Sequence, residues 1–155
     1  YALLEKFFRE FVKEATGQEK PLYKTLEKLA GDGKASCTGR ENRKKLQIET
    51  TFDGTRVHPE QTGSITNLST DNFTPAAFVY GTLEGMSREL YQMYQTIQNG
   101  TGMQIKRMIG SGNGLRKNPV LCEIVEEMFG AKLALAECEE EAATGAALSS
   151  MQQDE

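Results

Sequence analysis

The sequence predicts an α/β fold, and three observations carry that prediction. The last third of the chain alternates two strand patterns with two helical patterns, and the connections between them are short. That order is typical of a right-handed parallel β-α-β unit. A long helical pattern occupies the middle of the chain, and its 155 residues are 38% hydrophobic, which is enough for a packed core.

Composition also excludes several classes of protein. The chain has 18 Lys and Arg against 22 Asp and Glu, a net charge of -4, which argues against a nucleic-acid partner. No apolar stretch is long enough to span a membrane. Three cysteines lie far apart with no CxxC pair, so we expect reduced thiols in a cytoplasmic protein, neither a disulfide framework nor a zinc site, and no metal-binding residues. They are Cys37, Cys122 and Cys138.

The first 45 residues are predicted to form two helices and a loop. A helix over 1–15 has apolar residues at helical spacing, and Gly17 follows as a stop signal. A shorter helix over 22–30 follows Pro21. Residues 31–45 are rich in Gly, Lys, Arg and Asn, which predicts a loop. We therefore expect a helical and loop excursion over 16–45.

The middle of the chain is predicted to form two short strands and one long helix. Alternating polarity indicates a strand over 46–52, and a further short strand is expected over 64–68. A Thr-Pro start and an Asn-Gly end delimit a helix over 75–100. Gly81 and Gly85 each cost about 1 kcal/mol relative to alanine inside a helix. We expect close packing of this helix on a neighbouring backbone to offset that cost.

The last third is predicted to form strands over 103–109 and 132–136 and helices over 118–130 and 139–150. A glycine-rich turn over 110–114 joins the first strand to the first helix. The inward positions of that first helix are Leu121, Ile124, Val125 and Met128. Residues 151–155 form a polar tail, so the main domain is expected over 1–150.

The glycine-rich turn is the clearest candidate site. Glycines that end a strand and lead into a helix let backbone approach a ligand and direct amide groups at it. Ligands of open α/β sheets sit beyond the carboxyl ends of the strands. A tight turn without a ligand is the alternative, but three glycines in five residues exceed what such a turn needs. The expected pocket residues are Gly110, Ser111, Gly112 and Asn118.

An NAD-binding β-α-β domain is one alternative for that site. Gly110 and Gly112 follow a strand, and Glu137 ends the next one, where a ribose-binding acid belongs. However, the third glycine of the G-x-G-x-x-G pattern is replaced by Leu115, and eight residues from Gly110 to Lys117 precede the helix. Such a unit also usually opens its domain, whereas this one closes the chain.

Two other polar residues, Arg56 and His58, lie in the loop between the first two predicted strands. Arg56 is a candidate for an interdomain cleft, although a fixed salt bridge between loops is the favoured interpretation. His58 has neither a metal partner nor a nucleophile nearby in the sequence, so we interpret it as a structural or surface residue.

Three stretches of the chain resemble the end of the FGGY carbohydrate kinases. They are Ile-Gly-Ser-Gly-Asn at 109–113, Asn-Pro-Val-Leu at 118–121 and Glu-Glu-Ala-Ala-Thr-Gly-Ala-Ala-Leu at 140–148. The resemblance covers about 46–150, and 1–11 is similar to the helix that follows the family's central strands.

A subgroup is also indicated. The Gly-Ser-Gly-Asn loop and the Phe-x-Gly-x-Arg stretch at 52–56 look most like sedoheptulokinase-type sequences.

The resemblance implies an actin-like, ribonuclease H-like fold with two domains around a cleft. It implies that ATP, with Mg²⁺, binds mostly to the C-terminal domain, whereas the sugar and the catalytic Asp belong to the N-terminal domain. The chain is then the later part of the C-terminal domain, truncated at its N-terminal strands, with no catalytic residue of its own. The implied reaction is phosphorylation of a sugar hydroxyl, with a ketose such as sedoheptulose as substrate.

The resemblance also assigns site residues. The implied nucleotide-binding residues are Gly110, Ser111, Gly112, Asn113 and Asn118. Ala143 and Gly145 lie on the helix that would back the pocket. The extra Gly-Leu-Arg at 114–116 departs from the commoner family pattern.

The start of the chain supports the interpretation as a fragment. The sequence begins with Tyr1 rather than Met, and Tyr1 already lies inside a helical pattern. We expect such a fragment to be inactive alone and to expose a sheet edge and apolar surface, so that it pairs with the rest of the enzyme or with a second copy. A complete, non-catalytic nucleotide-binding or interaction module of the actin-like type is the other alternative.

Overall fold

The computed structural model describes residues 1–38 and 45–137, together with Ala143 and Ser149. This part of the chain divides into two compact units, Tyr1–Thr96 and Ile97–Glu155, and the third helix runs across their boundary. The elements are α1 (Ala2–Thr16), α2 (Tyr23–Thr38), β1 (Gln47–Glu49), β2 (Ser64–Thr66), α3 (Pro75–Thr101), β3 (Met108–Gly110), α4 (Asn113–Arg116), α5 (Pro119–Phe129) and β4 (Leu133–Leu135). The expected domain limits at 150 and 151 stay predictions.

A buried carboxylate joins α1 to α2. Glu5 is only 4% exposed, and it accepts hydrogen bonds from the backbone N–H of Leu22 at 3.0 Å and from Arg9 Nε at 3.3 Å. The hydrogen bond with Glu5 raises the pKa of Arg9. Arg9 also pairs with Glu19, whose pKa is lowered first by its hydrogen bond with Lys13. This polar network was not predicted, because it joins residues up to 17 positions apart.

α2 is longer than predicted, so the loop expected over 31–45 is wrong for residues 31–38. The physical reason is a close approach of α2 to α3. Gly33 is buried, and a Cβ at its position would overlap the carbonyl oxygen of Ala76 and the Cβ of Tyr80. Packing at this point offsets the low helix propensity of the local sequence. Residues 39–44 lie outside the described part.

α3 begins as predicted, with the side chain of Thr74 accepting a hydrogen bond from the N–H of Ala77 at 3.2 Å. Its N-terminal half lies in the core of the first unit. The buried apolar residues of that unit are Leu22, Leu26, Ala30, Leu46, Ile48, Val79, Tyr80 and Leu83.

β1 and β2 form an antiparallel pair in which Ile48 lies opposite Ile65. Both predicted strands are present but shorter than expected. A Cβ on Gly85 would overlap the carbonyl oxygen of Ile48, whereas one on Gly81 would lie 3.4 Å from Ile48 Cδ1. The expected packing on a neighbouring backbone is therefore confirmed at Gly85, and at Gly81 the contact is with a side chain instead.

The second unit contains the predicted parallel strand pair. β3 pairs with β4 in the register Met108 to Leu133, Ile109 to Ala134 and Gly110 to Leu135. α5 connects the two strands, so the predicted β-α-β unit is confirmed. Both strands are shorter than expected, since only three residues of each join the ladder. Leu121, Ile124 and Val125 are buried, and Met128 is half-buried.

The predicted helix over 139–150 falls mostly outside the described residues. Ala143 and Ser149 are helical and exposed.

Glu126 on α5 anchors the start of β4. Its carboxylate accepts the backbone N–H of Leu133 at 2.8 Å and a hydrogen bond from Lys132 Nζ at 3.2 Å. The hydrogen bond from Leu133, and next the one from Lys132, lowers the pKa of Glu126 from its ordinary value of 4.5. The carboxylate therefore stabilises the fold most when it is ionised.

We expect the stability of the chain to decrease as the pH is lowered, because Glu126 becomes protonated. Because the folded pKa lies below the unfolded one, its contribution is complete above the unfolded pKa and is lost as pH falls through the folded pKa. Unfolding by urea between pH 7 and pH 3 should show a weaker dependence on pH in Glu126→Gln than in the wild type. Glu14→Gln, on the exposed surface of α1, should keep the wild-type dependence, and equal flattening in both variants would contradict this assignment.

Candidate functional site

Gly110, the last residue of β3, is confined from two sides. Its carbonyl oxygen accepts a hydrogen bond from the N–H of Ala136 at 2.8 Å. A Cβ at this position would lie 2.6 Å from Leu115 Cδ1 and 3.1 Å from Leu133 Cδ1. The glycine is thus needed for the packing of the strand end.

Gly112 has the conformation that most clearly requires glycine. Its φ is 88° and its ψ is 159°, a backbone conformation that is essentially restricted to glycine. No atom outside its chain neighbours lies within 4 Å of the position that a Cβ would take. Ser111 and Asn113 on either side are exposed. This backbone therefore faces open space, as a site for close approach of a ligand requires.

The glycine-rich turn predicted over 110–114 is helical at its end. Residues 113–116 form the single helical turn α4. The N–H of Arg116 donates to Gly112 at 3.2 Å and the N–H of Lys117 donates to Asn113 at 3.1 Å. These i to i+4 hydrogen bonds shorten the long connection, which accommodates the three extra residues at 114–116.

Asn118 caps α5 as its position before Pro119 predicted. Its side-chain oxygen accepts the N–H of Leu121 at 3.1 Å, and the residue is 5% exposed. The sequence assigned Asn118 to the pocket without showing that this oxygen is already used by the helix. Its structural role is to fix the start of α5 directly after the loop.

Cys122 was not predicted to belong to this region. Its Sγ donates a hydrogen bond to the carbonyl oxygen of Leu115 at 3.3 Å. Burial first, and then the negative charges of Glu126 and Glu123, raise the pKa of the Cys122 thiol. The thiol therefore stays protonated near neutral pH and can serve as a donor to the loop.

Arg56 and His58 belong to the first unit, whereas this loop belongs to the second. Arg56 is exposed, and no carboxylate among the described residues forms a salt bridge with it. The predicted salt bridge between loops is therefore wrong for that part of the chain. His58 is exposed, with Nδ1 3.4 Å from Glu60, so its interpretation as a surface residue is confirmed. Of the two supporting residues, Ala143 is exposed and Gly145 lies outside the described residues.

Within 1–38 and 45–137, no three His, Cys, Asp or Glu side chains are grouped so that they could hold a metal ion. These residues therefore do not fit a Mg²⁺ site built from protein ligands alone. None of the helices in the same ranges is both long and apolar enough to cross a membrane.

Comparison with known proteins defines the class of this protein. It is an α/β chain that corresponds to the C-terminal part of an actin-like ATPase domain. The model for the C-terminal domain of the FGGY family of carbohydrate kinases matches residues 4–152, and the chain belongs to that family.

Solved structures share the fold at low sequence identity. A xylulose kinase from Bifidobacterium adolescentis matches with a TM-score of 0.61 and 18% identity, over 83% of this chain and 24% of that one. A Plasmodium falciparum glycerol kinase with ADP matches with a TM-score of 0.60 and 19% identity, over 81% and 25%. A xylulose kinase from Rhodospirillum rubrum matches with a TM-score of 0.54 and 18% identity, over 73% and 24%.

The chain spans about a quarter of the length of these structures. A search of curated protein sequences found no match.

Proposed function

We propose that this chain is the nucleotide-binding part of an ATP-dependent carbohydrate kinase, which transfers a phosphoryl group to a sugar hydroxyl. The observation that carries the proposal is the loop after β3, where Gly112 holds a glycine-only conformation beside open space. Membership of the FGGY family supports it, as does the ADP in the similar glycerol kinase. An NAD-binding domain and a non-catalytic module remain the alternatives.

The proposed nucleotide contacts follow the loop. Exposed backbone at 110–113 would approach the adenosine, and Asn118 would hold the start of α5 beneath it. Phosphoryl transfer depends mainly on positioning and electrostatic stabilisation, and no residue described here is assigned as the base. Mg²⁺ would arrive with the phosphates of ATP, because that ion commonly keeps waters and substrate oxygens as ligands.

The first test is binding of nucleotides to the 155-residue chain. We expect isothermal titration calorimetry to detect ATP or ADP at millimolar concentration, and we expect no turnover with sugar by this chain alone. Absence of heat at millimolar ATP would make the site assignment wrong. A fluorescence titration with NADH tests the dinucleotide alternative, which requires tighter binding of NADH than of ATP.

A charged variant tests the location of the site. Ser111→Glu places a carboxylate on the exposed loop, where the neutral adenosine would displace its water, and desolvating a charge without a partner costs about 1 kcal/mol or more. We expect ATP binding to weaken about fivefold or more, since 1.4 kcal/mol corresponds to tenfold. Ser36→Glu on the exposed surface of α2 is the control. Equal affinity of both variants would place the nucleotide elsewhere.

The substrate is proposed to be a ketose such as sedoheptulose. The Gly-Ser-Gly-Asn loop at 110–113 and the stretch at 52–56 support this choice through their resemblance to sedoheptulokinase-type sequences. The test is the product of the complete reading frame, assayed with sedoheptulose, xylulose and glycerol. We expect the highest kcat/KM with sedoheptulose, and a preference for glycerol would contradict the substrate. No turnover with any sugar would favour the non-catalytic alternative.

A partner is proposed for the apolar face of α1. Leu3, Phe7 and Phe11 recur every four residues, so they share one helix face, and they are 55%, 65% and 70% exposed. We propose that the rest of the same enzyme covers this face, because the solved structures that match are about four times as long as this chain. In sedimentation the chain alone should self-associate, and Phe7→Lys should reduce that association more than Lys6→Ala. A stable wild-type monomer would contradict the need for a partner.

A further inference from the structure

Contacts from two neighbouring segments, the end of β3 and the start of α5, converge on Leu115 in the middle of the loop after β3. A Cβ on Gly110 would lie 2.6 Å from Leu115 Cδ1, so the leucine side chain fills the space beside this glycine. Its carbonyl oxygen accepts the N–H of Asn118 at 3.2 Å and the Sγ–H of Cys122 at 3.3 Å. One residue therefore connects the end of β3 with the start of α5.

We infer that Leu115 is the positioning residue of the nucleotide loop, which it holds in a folded form before a ligand arrives. The inference rests on the proposed function, because it assigns Leu115 a role in the binding of ATP. Leu115 itself is half-buried and points toward the strand end. It acts on a nucleotide through the backbone at 111–113.

The physical argument concerns the entropy of a glycine-rich segment. Fixing the backbone of a residue costs conformational entropy, and glycine loses more freedom than other residues. Ordering the eight residues from Gly110 to Lys117, three of which are glycines, would cost much conformational entropy if it occurred only when a ligand binds. An anchor inside the segment orders it during folding, so the binding step loses less affinity.

The residue type at 115 also has a specific reason. In the dinucleotide pattern, the third glycine permits close packing of helix on strand. Here the longer connection carries α4 over the strand end, and Gly110 is buried beneath the leucine instead. The departure that weakened the NAD-binding interpretation is therefore the feature that holds this loop.

The packing is tested first, without nucleotide. We expect Gly110→Ala to lower the folding equilibrium constant of the chain, and to lower it less when Leu115→Ala has already removed the clashing methyl groups. Substitutions of contacting residues are commonly non-additive, so we expect a coupling of about fivefold or more in the urea-derived equilibrium constants. Strict additivity of the two substitutions would overturn the packing argument.

The positioning role is tested with ATP. Leu115→Ala should raise the Kd of the chain for ATP about fivefold or more and speed amide hydrogen exchange selectively at residues 111–113. Leu115→Met should restore both quantities toward wild type. Met128→Ala is the control, because this half-buried residue lies nine positions along α5 from Pro119, about 14 Å away along the axis. It should leave the Kd unchanged.

The outcomes separate the inference from the proposed function. If the wild-type chain binds ATP and Leu115→Ala keeps the wild-type Kd, the positioning role is overturned and the proposed function stands. If the wild-type chain binds no ATP, the proposed function is wrong and the positioning role falls with it. In the product of the complete reading frame, the KM for ATP should rise in Leu115→Ala while the KM for sugar stays constant. A parallel rise of both constants would indicate a structural defect and overturn the inference.

Discussion

Gly112→Val is expected to destabilise the chain and to remove detectable ATP binding. The native φ of 88° and ψ of 159° lie in a region that only glycine adopts readily, and a residue forced into it costs about 1–3 kcal/mol. Valine is branched at Cβ and has less conformational freedom than most residues, so relaxation toward a negative φ is the expected response. That change would redirect the peptide groups on both sides of position 112, which are the proposed contacts of the nucleotide.

The matched control is Gly114→Ala, two residues further along. A Cβ at Gly114 also meets open space, but this glycine lies in α4 and its φ is not left-handed. Alanine is favoured over glycine in helices by about 1 kcal/mol, so the variant should be neutral or slightly stabilised. Urea unfolding and calorimetry with ATP measure both effects. Unchanged stability and ATP affinity in Gly112→Val would show that neither the conformation nor the loop has the assigned role.

Local signals predicted the ends of several elements correctly. Gly17 ends α1 in the left-handed conformation, Thr74 caps α3, and Asn118 with Pro119 begins α5. Each signal depends on residues within four positions, so a single sequence carries it. The parallel pairing of β3 with β4 was predictable for a related reason, because a short helical connection joins the two strands.

The features that were missed depend on distant residues. Gly33 appears in the sequence as a helix breaker, yet its lack of a side chain is what lets α2 approach Ala76 on α3. Glu5 has the pattern of a surface residue until Leu22 supplies its buried hydrogen bond. Neither helix propensity nor hydrophobic periodicity predicts these contacts, because they form only after the chain has folded back on itself.

The candidate site divides in the same way. Gly110 and Gly112 were predicted as pocket residues because clustered glycines after a strand let the backbone approach a ligand. That assignment stays a prediction. In the sequence, Leu115 only marked a departure from the dinucleotide motif. The hydrogen bond from Cys122 to its carbonyl oxygen was not predicted. The useful signal was a large apolar residue inside a glycine-rich connection, since such a residue has to be buried somewhere.

Gly85→Ala is expected to destabilise the first unit more than any other glycine-to-alanine change in α3. Its Cβ would overlap the carbonyl oxygen of Ile48. That oxygen belongs to the backbone of β1, so it cannot move aside as the end of a side chain can. Overpacking of a core typically costs about 1–3 kcal/mol and sometimes more, which exceeds the gain of about 1 kcal/mol from replacing glycine in a helix.

Two glycines of the same helix provide graded controls. Gly81→Ala would place its methyl group at an ordinary distance of 3.4 Å from the flexible Cδ1 of Ile48, so we expect little change. Gly100→Ala meets open space and should stabilise the chain by about 1 kcal/mol. Thermal and urea unfolding should therefore rank the variants with Gly100→Ala most stable and Gly85→Ala least stable. If Gly85→Ala were as stable as Gly100→Ala, β1 would not lie on α3, and the core of the first unit would have to be built around other contacts than those of Ile48.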